Sequence, residues 1–184
     1  MTPEATLRAD AARNRQKLIE TAGEAFSESG TDVSLEAIAK RAGVGIGTLY
    51  RHFPTRDALV EAVYRNEVAQ VSAAAGELLD EHPADVALSE WMKRFAAYMS
   101  AKRGMADALQ SVVASNSALF AESKAQLVGA ITQLIDAGKA AGTIRADANA
   151  DDVLRAMGVC KTIDDDDQAA RVLGLIVDGL RYGA

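Results

Sequence analysis

The sequence has a single cysteine, Cys160, so no disulfide can form within the chain, and a disulfide-stapled scaffold is excluded. Its two histidines, His52 and His82, are far apart and no Cys–His cluster exists, so a zinc site is not expected. No apolar run approaches the ~18 residues of a membrane span, and residues 1–10 lack the apolar core of a signal peptide. We therefore expect a cytoplasmic protein with no membrane partner and no cofactor.

Proline and aromatic residues are also scarce. There are three prolines, none of them after Pro83, and aromatic residues make up 5% of the chain. Alanine, the best helix former, is abundant, whereas strands favour β-branched and aromatic residues. Apolar periodicity predicts an all-α protein of about nine helices, the first beginning near Asp10.

The overall composition is that of an ordinary globular protein. With 49% hydrophobic residues, intrinsic disorder is excluded. The net charge of -6 does not by itself indicate a nucleic-acid partner. That charge is unevenly distributed, because residues 1–65 hold nine Lys/Arg and nine Asp/Glu, whereas the remainder hold eleven and seventeen. The N-terminal third is therefore free to meet an anion.

The stretch SLEAIAKRAGVGIGTLYRHF, Ser34 to Phe53, has the pattern of a helix, a tight turn and a second helix. Ser34 is a good N-cap, and Gly43 supplies the positive φ that the turn needs. The apolar residues are spaced to close a small core: Ile38, Ala42, Val44, Leu49 and Phe53. This pattern predicts a helix-turn-helix, whose second helix enters the major groove of DNA.

The run GTLYRHFPTRDAL (Gly47 to Leu59), joined to AIAKRAGV (Ala37 to Val44), resembles the DNA-binding domain of the TetR family of bacterial transcriptional regulators. AFSESG (Ala25 to Gly30) stands where that family ends its first helix. The resemblance implies a flexible arm at 1–9, a DNA-binding domain at 10–56 with its motif at 34–53, and a ligand-binding and dimerisation domain at 57–184.

Eight residues are candidates for contact with DNA. Ile46 can make apolar contact with thymine methyl groups, and Thr48 can form hydrogen bonds to bases or phosphate. By resemblance to the family, Tyr50 and His52 bind phosphate oxygens, and Arg56 adds its cation to the start of the fourth helix. Arg8, Arg13, Arg15 and Lys17 are further candidates for backbone contact, although a solvated surface explains them equally well. The DNA-binding set is Ser34, Gly45, Ile46, Thr48, Tyr50, Arg51, His52 and Arg56.

The resemblance also implies a small-molecule effector. Pockets are mostly apolar with a few polar groups. The candidate lining residues are Trp91, Phe95, Tyr98, Met99, Met105, Leu109, Gln110, Asn116 and Phe120. Their helical spacing fits an ordinary hydrophobic core as well as a pocket wall, and both interpretations stay open.

The last two helices carry more apolar surface than one narrow face. In the family, this pair packs against the same pair of a second subunit; packing within one chain is the alternative. The predicted interface is Val153, Leu154, Met157, Val172, Leu173, Ile176, Val177 and Leu180.

The acidic run Asp164 to Asp167 lacks the alternating spacing of a calcium loop and is interpreted as a helix N-terminus.

The sequence therefore predicts a homodimeric repressor, released from a near-palindromic DNA operator by a small-molecule ligand. An activator or a ligand-independent regulator of the same fold is the alternative. An all-α enzyme is less favoured, because no nucleophile–base pair, metal set or phosphate loop supports it.

Overall fold

The computed structural model describes residues 3–116, 118–163 and 165–181, and this part of the chain contains nine α-helices and no strand. The predicted all-α fold is confirmed. Short 3-10 segments follow the first helix, at Gly30–Asp32, and the eighth, at Gly158–Thr162. The helices are α1 Pro3–Ser29, α2 Leu35–Arg41, α3 Ile46–His52, α4 Arg56–Glu81, α5 Ala84–Gly104, α6 Ala106–Ser115, α7 Leu119–Ala140, α8 Ala150–Met157 and α9 Asp166–Arg181.

Short polar side chains set where several helices begin. The Thr55 hydroxyl accepts a hydrogen bond from the Ala58 amide at 3.1 Å and caps α4. The Asn149 side chain accepts from the Asp151 amide at 2.9 Å and caps α8. At the start of α9, Asp165 accepts from the Gln168 amide at 2.9 Å, which fits the predicted role of the acidic run. Asp164, the first residue of that run, lies outside the described residues.

The first helix is longer than the sequence predicts. It begins at Pro3 rather than near Asp10, so most of the segment interpreted as an arm is helical. Proline fits this position because the first turn of a helix has no use for its missing amide hydrogen. Met1 and Thr2 lie outside the described residues.

The chain divides into two compact units. One consists of Met1–Asn66 and Ala101–Ser117, and the other of Glu67–Ser100 and Ala118–Ala184. The predicted boundary after residue 56 therefore differs from this division, because the start of α4 and all of α6 belong with the helix-turn-helix. No helix among the described residues is long and apolar enough to cross a bilayer.

Each unit has its own apolar core. In the first, Phe26, Ile38 and Leu49 are fully buried, which fixes α1, α2 and α3 against one another. In the second, Trp91, Ile131 and Leu134 are fully buried. Burial of each such side chain contributes about 1.5–3 kcal/mol, so these contacts hold the exposed faces of the helices in fixed positions.

Candidate nucleic-acid interface

The turn between α2 and α3 depends on one glycine. Gly43 has φ +68°, the left-handed conformation that costs other residues about 1–2 kcal/mol. Its amide donates to the Lys40 carbonyl at 3.1 Å, and the Val44 amide donates to the Ala39 carbonyl at 3.0 Å. This pair of bonds closes the end of α2 in a Schellman motif, which sets the angle at which α3 leaves it.

The second helix of the motif has one buried side and one exposed side. Leu49 and the residue that ends the helix, Phe53, are buried, as predicted for the core. On the other side, Ile46 is 37% exposed and Tyr50 46% exposed, and Arg51 is also exposed. Thr48 and His52 are half-buried. The exposed side of α3 thus combines apolar, aromatic and cationic groups, which are able to contact thymine methyl groups, base edges and phosphate.

Two glycines at the start of α3 are not required by packing against the described residues. A Cβ atom added to Gly45 or to Gly47 meets nothing within 4 Å, and neither residue has a positive φ. Both residues are exposed. Neither packing nor backbone conformation therefore requires glycine there, whereas close approach of an external surface to the backbone would.

Thr48 and Arg51 form a pair on the surface of α3. The Arg51 guanidinium donates to the Thr48 hydroxyl at 2.9 Å. This bond restrains the long arginine side chain and occupies one lone pair of the threonine. Because guanidinium is suited to guanine edges, Arg51 is better equipped than Thr48 to read a base.

Arg56 has a role that the sequence did not suggest. Its guanidinium is half-buried and donates to the Thr31 carbonyl at 2.5 Å and to the Val33 carbonyl at 2.8 Å. These bonds tie the first residue of α4 to the segment that links α1 and α2. The guanidinium has five N–H donors, and the two hydrogen bonds do not use all of them. Contact between the remaining donors of Arg56 and a DNA phosphate stays a prediction. Ser34 also serves the fold, since its hydroxyl accepts from the Ala37 amide at 3.1 Å.

A second brace joins α1 to α2. Arg41 donates to Glu28 at 2.6 and 2.9 Å and to Glu24 at 3.0 Å. The hydrogen bond from Arg41 holds the pKa of the Glu28 carboxyl below its usual value, so the pair stays ionised to a lower pH than an unpaired glutamate would. Arg41 is therefore neutralised within the chain, a pairing across 13 residues that helical periodicity does not reveal.

Other cations near α3 have no carboxylate partner among the described residues. Arg15 lies over the Phe53 ring, with its guanidinium carbon 5.2 Å from the ring centroid. The Lys17 ammonium is 3.6 Å from where a Cβ on Gly43 would lie. Lys40, in the last turn of α2, is exposed and was missed as a candidate, although its place before the turn was a usable signal. Of the other predicted cations, Arg13 is paired with Asp10 and Arg8 is exposed.

Replacing Arg56 by methionine tests the brace. We expect a loss of about 1–3 kcal/mol of stability because two carbonyl groups lose a charged donor, which for a chain of this size lowers Tm by roughly 2–12 °C. The matched variant is Arg51→Met, which removes an exposed cation and should leave Tm nearly unchanged. Thermal unfolding followed by circular dichroism makes the comparison. Equal Tm values for the two variants would contradict the structural role of Arg56.

The nine candidate pocket residues do not fall in one compact unit. Trp91, Phe95, Tyr98, Met99 and Phe120 belong to the second unit, and Met105, Leu109, Gln110 and Asn116 to the first. Six of them are buried, namely Trp91, Phe95, Tyr98, Met99, Met105 and Leu109. Gln110 is exposed, Phe120 is 39% exposed, and Asn116 is half-buried and donates to Glu61 at 3.0 Å. Whether any of these residues contacts a ligand stays a prediction.

The eight predicted interface residues separate into two groups. Val153, Met157, Leu173, Val177 and Leu180 are buried within the single chain. Leu154, Val172 and Ile176 are half-buried, and Leu175, three residues after Val172 and therefore on its side of α9, is 72% exposed. A partner would therefore meet the second group, together with Leu175.

The described residues contain no cluster of His, Cys, Asp or Glu that could hold a metal ion.

These features define a class of protein. A helix-turn-helix with an exposed second helix, flanked by cations that have no carboxylate partner in the described part of the chain and followed by a larger all-α unit, is the architecture of a DNA-binding regulator. Residues 18–63 match the family described as bacterial regulatory proteins, tetR family. Residues 83–182 match the C-terminal domain of transcriptional regulators like SbtR.

Solved structures agree over almost the whole chain. The TetR transcriptional regulator SCO0520 from Streptomyces coelicolor is 47% identical, with a TM-score of 0.83 over 92% of this chain and 99% of that one. A TetR regulatory protein from Mycobacterium vanbaalenii is 36% identical, with a TM-score of 0.78 over 96% and 99%. The HTH-type transcriptional regulator SAB2452 from Staphylococcus aureus is 35% identical over 80 residues, 43% of each chain. The chain thus matches less than half the length of that curated relative. It belongs to the TetR family of bacterial transcriptional regulators, and it is not an enzyme.

Proposed function

We propose that this chain is a homodimeric repressor that binds a near-palindromic DNA operator and releases it when a small-molecule effector binds. The observation that carries the DNA-binding part is the exposed side of α3, where Ile46, Tyr50 and Arg51 project from a helix fixed by its buried residues. Ile46 would contact thymine methyl groups and Arg51 a guanine edge, while Tyr50 and His52 would bind phosphate.

The apolar face of α9 supports the dimer. Val172, Leu175 and Ile176 lie at helical spacings of three and four residues, and Leu175 is largely exposed to water. A two-fold dimer would bury this strip and would place two copies of α3 about 34–36 Å apart, one turn of DNA. An operator with inverted half-sites follows from that symmetry.

Hydrogen bonds between α6 and α4 support control by an effector. The Ser111 hydroxyl donates to the Asp57 carboxylate at 2.8 Å, and the Asn116 amide donates to Glu61 at 3.0 Å. These contacts lie within the unit that holds the helix-turn-helix. A ligand that displaces α6 would therefore also move the start of α4, and with it α3. A coupling of about 1–3 kcal/mol is typical of such regulation.

Selection of bound genomic fragments tests the proposal. Purified protein is mixed with sheared genomic DNA of its source, and the retained fragments are sequenced. We expect an inverted repeat with half-site centres about 10–10.5 base pairs, or a multiple of that, apart, enriched near promoters. Transcription from such a promoter should rise when the gene for this protein is deleted. Retained fragments without a common sequence would contradict operator binding, and a fall in transcription would contradict repression.

A further inference from the structure

A hydrogen bond within α3 fixes the direction of the Arg51 side chain. Arg51 is the residue before the last in α3, and its Nη2 donates to the Thr48 hydroxyl, three residues earlier, at 2.9 Å. Residues three apart lie on the same side of a helix, so the bond holds the guanidinium back toward the start of α3. Side chains near the start of a recognition helix are the ones that reach base edges. The bond therefore places the guanidinium where bases are contacted, rather than beyond the end of the helix.

This bond leaves the guanidinium able to bind a second group. Arg51 is exposed, and no other hydrogen bond or ion pair of its side chain is found among the described residues. One N–H of Nη2 is used by Thr48, so the second N–H of Nη2 and both of Nη1 are available. They form the planar fork that the O6 and N7 atoms of guanine accept.

Thr48 is a stiff support for this fork. Its side chain is half-buried, and branching at Cβ restricts its rotamers in a helix. The helix beneath is fixed as well, because Leu49 and Phe53 hold the opposite side of α3 in the core. An arginine side chain loses much rotamer freedom when it binds, and part of that loss has already occurred in the bond to Thr48.

The helix surface beside this pair is uncovered. Gly47 immediately precedes Thr48 and lies one turn before Arg51, and a Cβ atom added to Gly47 meets nothing within 4 Å. No described side chain therefore covers the backbone at this point. A base edge can approach the restrained guanidinium there without displacing any part of the described chain.

We propose that Thr48 is a positioning residue for sequence recognition: its hydroxyl holds the Arg51 guanidinium at a guanine in each operator half-site. This rests on the operator binding proposed above, and it gives Thr48 a role that acts through Arg51. The competing destination for the guanidinium is a phosphate, which has the same chemistry at every position and specifies no sequence. The two destinations differ in one respect that can be measured, since only the base contact depends on guanine N7.

Base analogues test the guanine contact. Each guanine of the selected operator is replaced in turn, symmetrically in both half-sites, by 7-deazaguanine, which lacks the N7 acceptor in the major groove. Hypoxanthine is the matched analogue, because it keeps N7 and O6 and loses only the amino group in the minor groove. By fluorescence anisotropy, 7-deazaguanine at one position should weaken wild-type binding about tenfold or more, and hypoxanthine there less than about threefold. Half-sites without guanine, or no guanine at which 7-deazaguanine weakens binding more than hypoxanthine does, would overturn the proposal.

Substitutions assign the effect to the two side chains. The measured quantity is the Kd for the 7-deazaguanine operator divided by the Kd for the unmodified operator. This ratio should fall to about one in Arg51→Met and to about three or less in Thr48→Val, which keeps the shape but lacks the hydroxyl. Thr48→Ser keeps the hydroxyl and should retain the wild-type ratio.

The ratio distinguishes positioning from a structural role. A general loss of folded protein raises both Kd values together and leaves the ratio unchanged. A wild-type ratio in Thr48→Val would show that Thr48 does not position the guanidinium, and a wild-type ratio in Arg51→Met would show that Arg51 does not contact guanine. If Thr48→Val does not fold, Thr48→Ala, which also lacks the hydroxyl, decides.

Salt dependence separates this inference from the proposed function. Arg51→Met should leave the salt slope close to the wild-type value. A slope reduced by about 1.8, with equal weakening of all operators, would place Arg51 at phosphate and overturn the proposal. Selective operator binding without any effect of 7-deazaguanine would overturn this inference alone. Failure of wild type to bind any operator would instead contradict the proposed function itself.

Discussion

Replacing Leu175 by aspartate should convert a dimer into a monomer. Leu175 is 72% exposed in the single chain, so the fold of the subunit does not depend on it. In the proposed interface, however, the new carboxylate would be buried without a partner, at a cost of several kcal/mol. About 2.8 kcal/mol already corresponds to a hundredfold change in an equilibrium constant. Sedimentation equilibrium should therefore report half the wild-type mass at micromolar concentration.

Loss of the dimer should also remove operator binding. Two linked recognition helices gain from the second half-site being held at high effective concentration, and a monomer loses that gain. We expect operator affinity to fall at least a hundredfold. Ala170→Asp is the matched control, because Ala170 is exposed on the opposite side of α9. A Leu175→Asp variant that keeps the wild-type mass and operator affinity would place the interface elsewhere.

Operator binding should depend steeply on salt, despite the net charge of -6. A dimer that makes ~6–10 phosphate contacts should lose ~10³–10⁵ in affinity between 50 and 200 mM salt, because each contact releases counterions. Phosphate contact is possible for this acidic chain because cations are available in its N-terminal third, which has no net charge. Arg15, Lys17 and Lys40 lie there and have no carboxylate partner among the described residues. Fluorescence anisotropy with the selected operator measures the slope.

Two neighbouring residues provide the matched test of that slope. Lys40→Gln should reduce the slope by about 1.8, since a dimer loses two contacts of about 0.9 each. Arg41→Gln also removes one cation per chain, but Arg41 is already held by Glu24 and Glu28. Its slope should stay at the wild-type value, and its stability should change by less than about 1 kcal/mol because the pairs are exposed. Equal slopes for the two variants would contradict the assignment of Lys40 to phosphate contact.

The helix-turn-helix was predictable because its signals are local. Ser34 caps α2, Gly43 takes the positive φ, and Leu49 and Phe53 are buried, all as their positions in the sequence indicate. Capping, turn conformation and apolar spacing act over three to five residues, so a short stretch of the sequence is enough to reveal them. The resemblance to the TetR family rests on the same stretch and is confirmed.

Long-range partners were not predictable in this way. Arg56 was placed at phosphate, but its hydrogen bonds run to Thr31 and Val33, more than 20 residues earlier. Arg41 is paired with Glu24 and Glu28 on another helix, while adjacent Lys40 has no carboxylate partner among the described residues. Whether a cation can contact phosphate depends on whether a carboxylate lies next to it in the folded chain. Helical periodicity does not contain that information.

The sequence by itself determined the all-α fold, the helix-turn-helix and the burial of Leu49 and Phe53, because propensity, capping and periodicity are properties of neighbouring residues. Only the tertiary structure decided which apolar residues of α9 face inward, since Leu173 and Leu175 are the same amino acid with opposite surroundings. It also decided that α6 belongs with the unit that holds the helix-turn-helix. Those placements follow from how helices pack, and packing is fixed by side chains that are distant along the chain.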